Sequence, residues 1–439
     1  MNLNYVGSVA ERFMKFRSSL AGTEEVELNI FNAVSIYVPK SLAKDNISAD
    51  SYEPDSVTAD NYAVITVTVD NYSKVLTEGS ALLSQWLPVF NDGTNSEVTL
   101  YLIVFDDSSF DPTTTAGAIT WSPLTKAFKE LYFISCFKTL FDTDYTGKTS
   151  GELNNYADLA LCLSYLCSTE STLSVDLLEV SVTLPTSDTA TDTNAVKVLS
   201  HSRGEETTHC ITLASTTASD RAEYLWGYVN LIGGSHTWFI VHNGSYMYPI
   251  VLGKWFEAKN ESGEFIGNKL AKIRLSGSKV KPTGLPSPLN SDVNLNMSEK
   301  WYTNLDAKHV GYFISISDNT ENNAELIRER SVENFPITAY LMSKWIDYTA
   351  SQALANFATE STTLTDPVLA NEDTYNYIQQ LVRATINTFA TTGRLTNVTL
   401  NFPPYAEAKQ GQTFKGTAVW SAGYVDDLEG VEISGSITF

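Results

Sequence analysis

The stretch VTLYLIVF, Val98–Phe105, is a continuous apolar run without a charged residue. Such a run is typical of a strand that is buried on both faces of a sheet. Two earlier stretches, ELNIFNAVSIYVP at Glu27–Pro39 and YAVITVTV at Tyr62–Val69, are rich in β-branched residues and also predict strands. We therefore expect a sheet that contains residues 98–105 as a buried strand.

Helical and strand patterns alternate downstream of this run. Apolar residues recur at helical spacing in LTKAFKELYFISCFKTLF, Leu124–Phe141, and in YADLALCLSYLC, Tyr156–Cys167. The stretches LLEVSVTL at Leu177–Leu184 and TWFIVH at Thr237–His242 predict strands. Because this alternation favours parallel pairing, the predicted fold class is α/β, with mixed α+β character and a partly parallel sheet.

The last third of the chain has its own pattern. Ser276–Asn296 contains three prolines and two glycines, which makes it the best candidate for a linker. Beyond it, helices are predicted at Pro336–Phe357 and Thr374–Thr391, and strands at Val310–Ser317, Leu395–Phe402, Thr413–Ala422 and Val431–Phe439. The last of these strands, VEISGSITF, alternates apolar and polar residues and predicts a half-buried strand.

Composition excludes several classes of protein. The 439 residues carry 29 Lys and Arg against 51 Asp and Glu, a formal charge of −22, so the basic surface needed for nucleic acid is absent. Apolar residues make up 43%, which is enough for sizeable cores. The apolar runs are too short to span a membrane, and the first residues lack the apolar core of a signal peptide. We therefore expect synthesis in a reducing cytoplasm and no membrane insertion.

The residues that could carry chemistry form no convincing constellation. Asp106 and Asp107 follow the buried run, where open α/β sheets place ligands, and they are the best enzymatic signal. Gly147-Lys148-Thr149 resembles the end of a P-loop, but Asp142 stands where its first glycine should be. The spacing of the four cysteines and five histidines suits neither zinc nor a disulfide framework. We expect no catalytic residue, no cofactor and no metal.

The C-terminal segment has a recognisable pattern of residue types. It runs GYFISIS, a helix with ITAYLMSKWIDYTASQALANF, GRLTNVTLNFP, and then FKGTAVWSAGYVDDLEGVEISGSITF. This order resembles the C-terminal region of the contractile-tail sheath proteins of bacteriophages. The positions that carry the likeness are Phe414, Trp420, Ala422, Val431, Ile433, Gly435 and Ile437. The resemblance covers about 130 residues, some 30% of the chain.

The resemblance implies a domain organisation. It predicts an N-terminal arm at 1–26, an N-terminal part of the sheath core at 27–109, an inserted outer α/β domain at 110–296, a C-terminal helix–sheet domain at 297–428 and a terminal strand at 429–439. The early strands would then complete the C-terminal domain.

The resemblance also implies a function. Subunits of this family form hexameric rings that stack into a helical polymer around a tail tube, exchange strands through terminal arms, and contract to drive the tube through the host envelope. It implies self-association, with the tail tube protein and the baseplate and neck proteins as further partners, in a virion tail that is assembled in the host cytoplasm.

Two sets of residues follow as candidate contacts. An alternating strand at a free end needs a partner, so we expect 431–439 to pair with another subunit. These residues are Val431, Glu432, Ile433, Ser434, Gly435, Ser436, Ile437, Thr438 and Phe439. Arg383 and Arg394 are predicted to bracket the end of a helix, where they could face the tube or simply compensate the helix dipole.

Two other classes of function stay open. The chain could be another virion protein, such as a tail tube or capsid component. It could also be a soluble carbohydrate-binding protein or enzyme, because its eight Trp and twenty-two Tyr suit stacking against sugars.

Overall fold

A computed structural model of the chain describes part of its residues. These are 30–48, 56–110, 121–141, 150–170, 174–181, 236–242, 247–257, 274–276, 305–315, 323–327, 330–334, 336, 337, 339–341, 346, 350, 353, 357, 369–390, 395–411, 413–414, 419–425 and 434–438. They fall into two compact units, one within 29–338 and the other within 339–439. The predicted linker Ser276–Asn296 lies outside the described residues except for Ser276, and so does the predicted N-terminal arm.

The first unit is organised by a six-stranded mixed sheet. Its strands are β1 (Ala33–Pro39), β2 (Tyr62–Val67), β3 (Thr99–Phe105), β4 (Phe137–Leu140), β5 (Val175–Ser181) and β6 (Thr237–His242). They stand in the order β2-β3-β1-β4-β5-β6, and only the edge strand β2 is antiparallel to its neighbour. The parallel strands follow a doubly wound order: β3 lies on one side of β1, and β4, β5 and β6 lie on the other, so the order of the strands reverses beside β1. This arrangement confirms the mixed α/β fold class.

Helices cover both faces of this sheet. The helices of the unit are α1 (Lys40–Asn46), α2 (Tyr72–Thr77), α3 (Ala81–Ser84), α4 (Ser122–Leu131), α5 (Ser150–Glu170) and α6 (Tyr248–Glu257). On one face, Phe128 of α4 stacks on Tyr37 with ring centroids 6.0 Å apart. On the other, Trp255 of α6 packs against Trp238 at 5.7 Å and Phe137 at 6.0 Å. All five side chains are fully buried, so the core lies on both sides of the sheet.

One predicted helix is wrong over its second half. The helical pattern of Leu124–Phe141 holds for α4, but Phe137–Leu140 form β4 at the centre of the sheet. Between them, a short 3-10 turn at Tyr132–Ile134 leads out of the helix. A four-residue strand that is buried on both faces has no alternation, so periodicity cannot separate it from a buried helical turn.

The large sheet does not respect the predicted separation of 27–109, 110–296 and 297–428. β4, β5 and β6 come from the supposed insertion 110–296, yet β4 pairs with β1 along Val34–Tyr37. Residue Gly311, from the supposed C-terminal domain, exchanges backbone hydrogen bonds of 2.8 and 2.9 Å with Phe239 and Val241 of β6. The early strands therefore lie in the first unit and do not complete a C-terminal sheet. The apolar runs distinguished the strands, but they carry no information about which strands pair.

A small antiparallel sheet also belongs to the first unit. Its strands are β7 (Arg274–Ser276), β8 (Tyr312–Ser315) and β9 (Asn323–Ile327), in the order β7-β9-β8. The backbone before β8 provides the bonds to β6 described above, so the β6 edge of the large sheet is covered there.

The second unit is a helix with a three-stranded sheet. Helix α7 (Glu372–Ala390) precedes β10 (Leu395–Asn401), α8 (Tyr405–Ala408) and the short hairpin of β11 (Lys409–Gln410) and β12 (Thr413–Phe414). Strands β13 (Val419–Val425) and β14 (Ser434–Thr438) follow, and the sheet order is β10-β13-β14 with antiparallel pairing throughout. Tyr375 of α7 anchors the unit, since its hydroxyl donates to Pro403 O at 2.6 Å and its ring packs on Phe414 at 5.2 Å.

Candidate functional site

The C-terminal sheet contains the strand that the sequence singles out for contact with another subunit. Residues 434–438 form β14, which pairs with β13 of the same chain from Ser421–Thr438 to Val425–Ser434. We expected another subunit because a strand needs a partner to pair with, and on one side of β14 that partner is β13 of the same chain. Val431, Glu432, Ile433 and Phe439 lie outside the described residues.

Strand β14 is nevertheless at an edge. It stands last in the order β10-β13-β14, so its second side has no strand partner among the described residues. The other edge, β10, carries a bulge between Thr396 and Thr399, where Asn397 adopts a positive φ of 52°. Bulges blunt an edge against further pairing, and the Pro403-Pro404 pair after β10 ends it. Of the two edges, β14 is the better acceptor for an added strand.

The two faces of this sheet differ in character. Leu395, Trp420 and Ala422 are buried on one face. The other face holds Thr396, Thr399, Asn401, Val419, Ser421 and Gly423, which the register pairs across β10 and β13. We call this set the hydroxyl face. Thr399 and Ser421 share a hydrogen bond of 2.6 Å between their hydroxyl oxygens, and Val419 is 38% exposed.

The arginine prediction needs a correction. Arg383 is exposed in the middle of α7, seven residues before its end at Ala390, and the last turn of this helix contains no basic residue. The helix dipole acts within the last turn, so Arg383 does not compensate it. Its role against a tube stays a prediction, and Arg394 lies outside the described residues.

The carboxyl ends of β1 and β3 were the best enzymatic signal. Both oxygens of Asp107 are engaged by Ser41 at the start of α1: the backbone N–H donates to Oδ1 at 2.9 Å and the hydroxyl donates to Oδ2. Asp106 Oδ1 accepts from Ser108 N at 3.1 Å, in an Asx turn. The two carboxylates therefore bind different groups: Asp107 holds the start of α1, and Asp106 holds the turn after β3.

A polar row that the sequence did not reveal crosses the large sheet. The register aligns Thr66, Tyr101, Ser35, Lys138, Asp176 and Thr237 on the six successive strands. Ser35, Lys138, Asp176 and Thr237 are at most 1% exposed. The signal was a charged residue inside an apolar run: Lys138 in CFKTLF, part of the predicted helix Leu124–Phe141, and Asp176 in VDLLEV, which also contains Glu179.

Lys138 and Asp176 are the ionisable members of this row. Lys138 Nζ donates to Ser135 O and, at 2.9 Å, to Ser135 Oγ. Ser164 of α5 donates its hydroxyl to Asp176 Oδ2. Burial lowers the pKa of Lys138 to about 8 and raises the pKa of Asp176 to about 7. Burial also raises the pKa of the nearby Cys167 thiol, which keeps this thiol protonated and unreactive.

A second carboxylate, which is partly buried, holds a helix in place. Glu179 Oε2 accepts from Met247 N at 2.6 Å and Tyr248 N at 3.3 Å, at the start of α6. The same oxygen lies 3.2 Å from His242 Nε2. A carboxylate at a helix N-terminus stabilises the helix, so this group positions α6 on the sheet.

These polar groups do not converge on a site for chemistry. Within the described residues, no group of three or more His, Cys, Asp or Glu side chains could hold a metal ion. Lys138 and Asp176 lie on strands that α5 packs against, Cys167 is on α5, and all three side chains are buried.

No helix among the described residues has both the length and the hydrophobicity to cross a bilayer.

No protein-family model matches the chain. A search of curated proteins finds no match either.

Proposed function

We propose that this chain is the structural subunit of a contractile phage tail sheath, which assembles as hexameric rings stacked around a tail tube. The observation that carries the proposal is the open edge of β14 in a helix–sheet unit whose closing strands bear the sheath-like residue pattern. An edge strand with free N–H and C=O groups is a ready acceptor for a strand from a neighbour.

Three features support the proposal, two in the second unit and one in the first. The pattern residues Trp420 and Ala422 are buried on β13, and Gly435 and Ile437 lie on β14 beside it. The pattern therefore describes a packed sheet. The strands β10, β13 and β14 contain no charged residue in a chain of net charge −22, which suits contact between like-charged copies. The buried carboxylates of the first unit have structural partners, which suits a protein that acts by assembly.

Electron microscopy of the full chain tests the proposal. We expect rings or long tubes in negative stain. Deleting 431–439 should abolish them, because it removes β14, the strand that we expect a neighbour to pair with, while the tryptophan fluorescence of the first unit should stay native. If the chain forms only narrow tubes, it is better explained as a tail tube protein. A small oligomer that is stable at all concentrations would refute the proposal.

A pair of introduced cysteines distinguishes two ways in which β14 could contact a neighbouring subunit: it could accept a strand from the neighbour, or it could itself be exchanged. Ala422 and Ile437 are direct neighbours across β13 and β14. In the variant Ala422→Cys/Ile437→Cys, oxidised after assembly, a disulfide within one chain means that β14 accepts a neighbour's strand. Covalent linkage between chains means that β14 itself is exchanged. The single variant Ala422→Cys is the matched control and should form neither product.

A further inference from the structure

Lys138 and Asp176 are buried neighbours that do not bind each other. The register places them side by side on β4 and β5, and adjacent strands of a sheet lie about 4.8 Å apart. Cys167 of α5 interacts electrostatically with both, so both side chains lie on the face that α5 covers. Both belong to the described residues, and no ion pair joins Lys138 Nζ to the carboxylate. A buried ammonium beside a carboxylate would ordinarily pair with it.

Each of the two groups is bound elsewhere. Lys138 Nζ donates to Ser135 O and, at 2.9 Å, to Ser135 Oγ, while Asp176 Oδ2 accepts from the Ser164 hydroxyl. Ser135 Oγ shares a second hydrogen bond, of 2.7 Å, with Ser35 Oγ of β1. The ammonium therefore holds the turn that leads into β4. This arrangement suits a neutral Asp176, and burial raises the pKa of that carboxyl group to about 7.

We propose that Lys138 is a pH-dependent switch: its ammonium binds Ser135 while Asp176 carries a proton, and it moves to the Asp176 carboxylate when that proton leaves for bulk water. The flexible four-carbon side chain reaches either partner by rotation, because Ser135 is three residues back along the chain and Asp176 is on the adjacent strand. The move gains an ion pair and gives up two hydrogen bonds to Ser135. Ionisation of Asp176 drives it, because a buried carboxylate without a paired charge is costly.

The exchange should be detectable at the turn before β4. Cys136 N donates to Ile30 O at 2.7 Å, which ties this turn to the segment just before β1. Ser135 is buried, so its carbonyl oxygen loses a donor when Lys138 leaves. We therefore expect weaker protection of the backbone at 132–136 above the titration of Asp176 than below it. The proposal goes beyond the proposed function and does not depend on it.

Other titratable groups lie around the pair on each neighbouring element. Burial raises the pKa of Tyr37, Cys167 and Tyr248, which keeps these groups neutral as Asp176 titrates. The remaining groups are Cys136 of β4, Glu179 of β5, His236 before β6 and His242 of β6. A test must therefore report on the Asp176 carboxyl group itself.

Infrared spectroscopy follows the proton on Asp176. A buried protonated carboxyl group has its own C=O band, and subtracting the spectrum of Asp176→Asn in the same background isolates it from the other acids. Ser135→Ala removes one of the two groups that hold Lys138 away, so the midpoint of the Asp176 titration should fall by about one pH unit. Ser164→Ala is the matched control. It removes a hydrogen bond that favours the carboxylate, so it should raise the midpoint.

The opposite signs of these two shifts make the test specific. If Lys138 does not move, losing the Ser135 hydroxyl only weakens the binding of the ammonium, and the midpoint stays the same or rises. That result would overturn the proposal. So would a fall of the midpoint in both variants, because general loosening of the core would then explain it.

Hydrogen exchange of the unaltered chain provides a second test that needs no substitution at Ser135. After correction for the intrinsic rate, amides of 132–136 should exchange about tenfold faster above the Asp176 titration than below it. Amides of β3 should show no such change, and in Asp176→Asn the rates at 132–136 should be equal at the two pH values. Equal rates at 132–136 in wild type would overturn the proposal.

Discussion

Replacing Asp176 by Asn tests whether the large sheet contains a carboxylate whose charge opposes folding. Burial raises the pKa of Asp176 to about 7 from an ordinary value of 3.8. Because the folded-state pKa lies above the unfolded-state value, the folded chain binds more protons between these two values. The free energy of unfolding contributed by Asp176 therefore falls as the pH rises through this window.

The magnitude follows from the size of the pKa shift. One pKa unit corresponds to about 1.4 kcal/mol, so between about pH 5.5 and 7 the wild type should lose about 2 kcal/mol through this group. Asp176→Asn keeps the side-chain shape and lacks the titration. Its free energy of unfolding relative to wild type should rise by about 2 kcal/mol over the same interval.

Lys138 titrates with the opposite sign and in another window. Burial lowers its pKa from 10.5 to about 8, so the folded chain loses this proton first and stability rises as the pH increases from about 8 to 10.5. The variant Lys138→Met should remove that rise and leave the slope below pH 7 in place. It is the matched control for Asp176→Asn.

Urea unfolding at a series of pH values is the assay. The buried Trp238 and Trp255 provide the fluorescence signal in the same unit as Asp176. If the free energy of unfolding depends on pH in the same way for wild type and Asp176→Asn, the assigned titration of Asp176 is wrong. Such a result would mean that Asp176 is charged throughout and stabilised by Lys138, in which case the substitution should cost about 3–5 kcal/mol at every pH.

The remaining predictions concern packing, a loop and assembly. Gly253→Ala should lower the free energy of unfolding by about 1–3 kcal/mol, because a Cβ there meets the backbone carbonyl of Pro88, and thermal unfolding measures this. Asp107→Ala should cost about 1 kcal/mol through the lost bonds to Ser41 without affecting assembly, as thermal unfolding and electron microscopy can show. Arg383→Glu should leave thermal unfolding unchanged, because this residue is outside the last turn of its helix, and a loss of sheaths on tubes would establish a tube contact. Turbidity should report easier assembly at higher ionic strength, because salt screens the repulsion between chains of charge −22, and the opposite trend would mean that attractive ion pairs dominate.

The strands were predictable where burial leaves a pattern in the sequence. The runs at Val98–Phe105 and Thr237–His242 correspond to β3 and β6, and the helix at Thr374–Thr391 corresponds to α7. Each of these elements has a residue period or an apolar run set by its own surroundings. β4 was missed because its four buried residues continue the apolar spacing of the helix before it.

Pairing between distant segments was not predictable from local pattern. β1 lies between β3 and β4, so a segment before the long apolar run and one after it share the centre of the sheet. The linker-like composition of Ser276–Asn296 suggested a domain boundary there. Backbone hydrogen bonds between Gly311 and β6 instead join the residues on the two sides of it in one unit. Composition reports local conformation, and it does not report which strands meet.

The candidate site illustrates the same limit at the level of single residues. The prediction of a strand from VEISGSITF is confirmed at Ser434–Thr438, and this strand pairs with β13 of the same chain, without a second subunit. A strand has two sides, however, and alternation across the faces says nothing about the edges, where pairing occurs through the backbone. The inference from alternation to an intermolecular partner was therefore incomplete. Support for self-assembly comes instead from the second side of β14, which has no strand partner among the described residues, and from the absence of charged residues in β10, β13 and β14, because such an edge is a place where copies of a strongly acidic chain can meet.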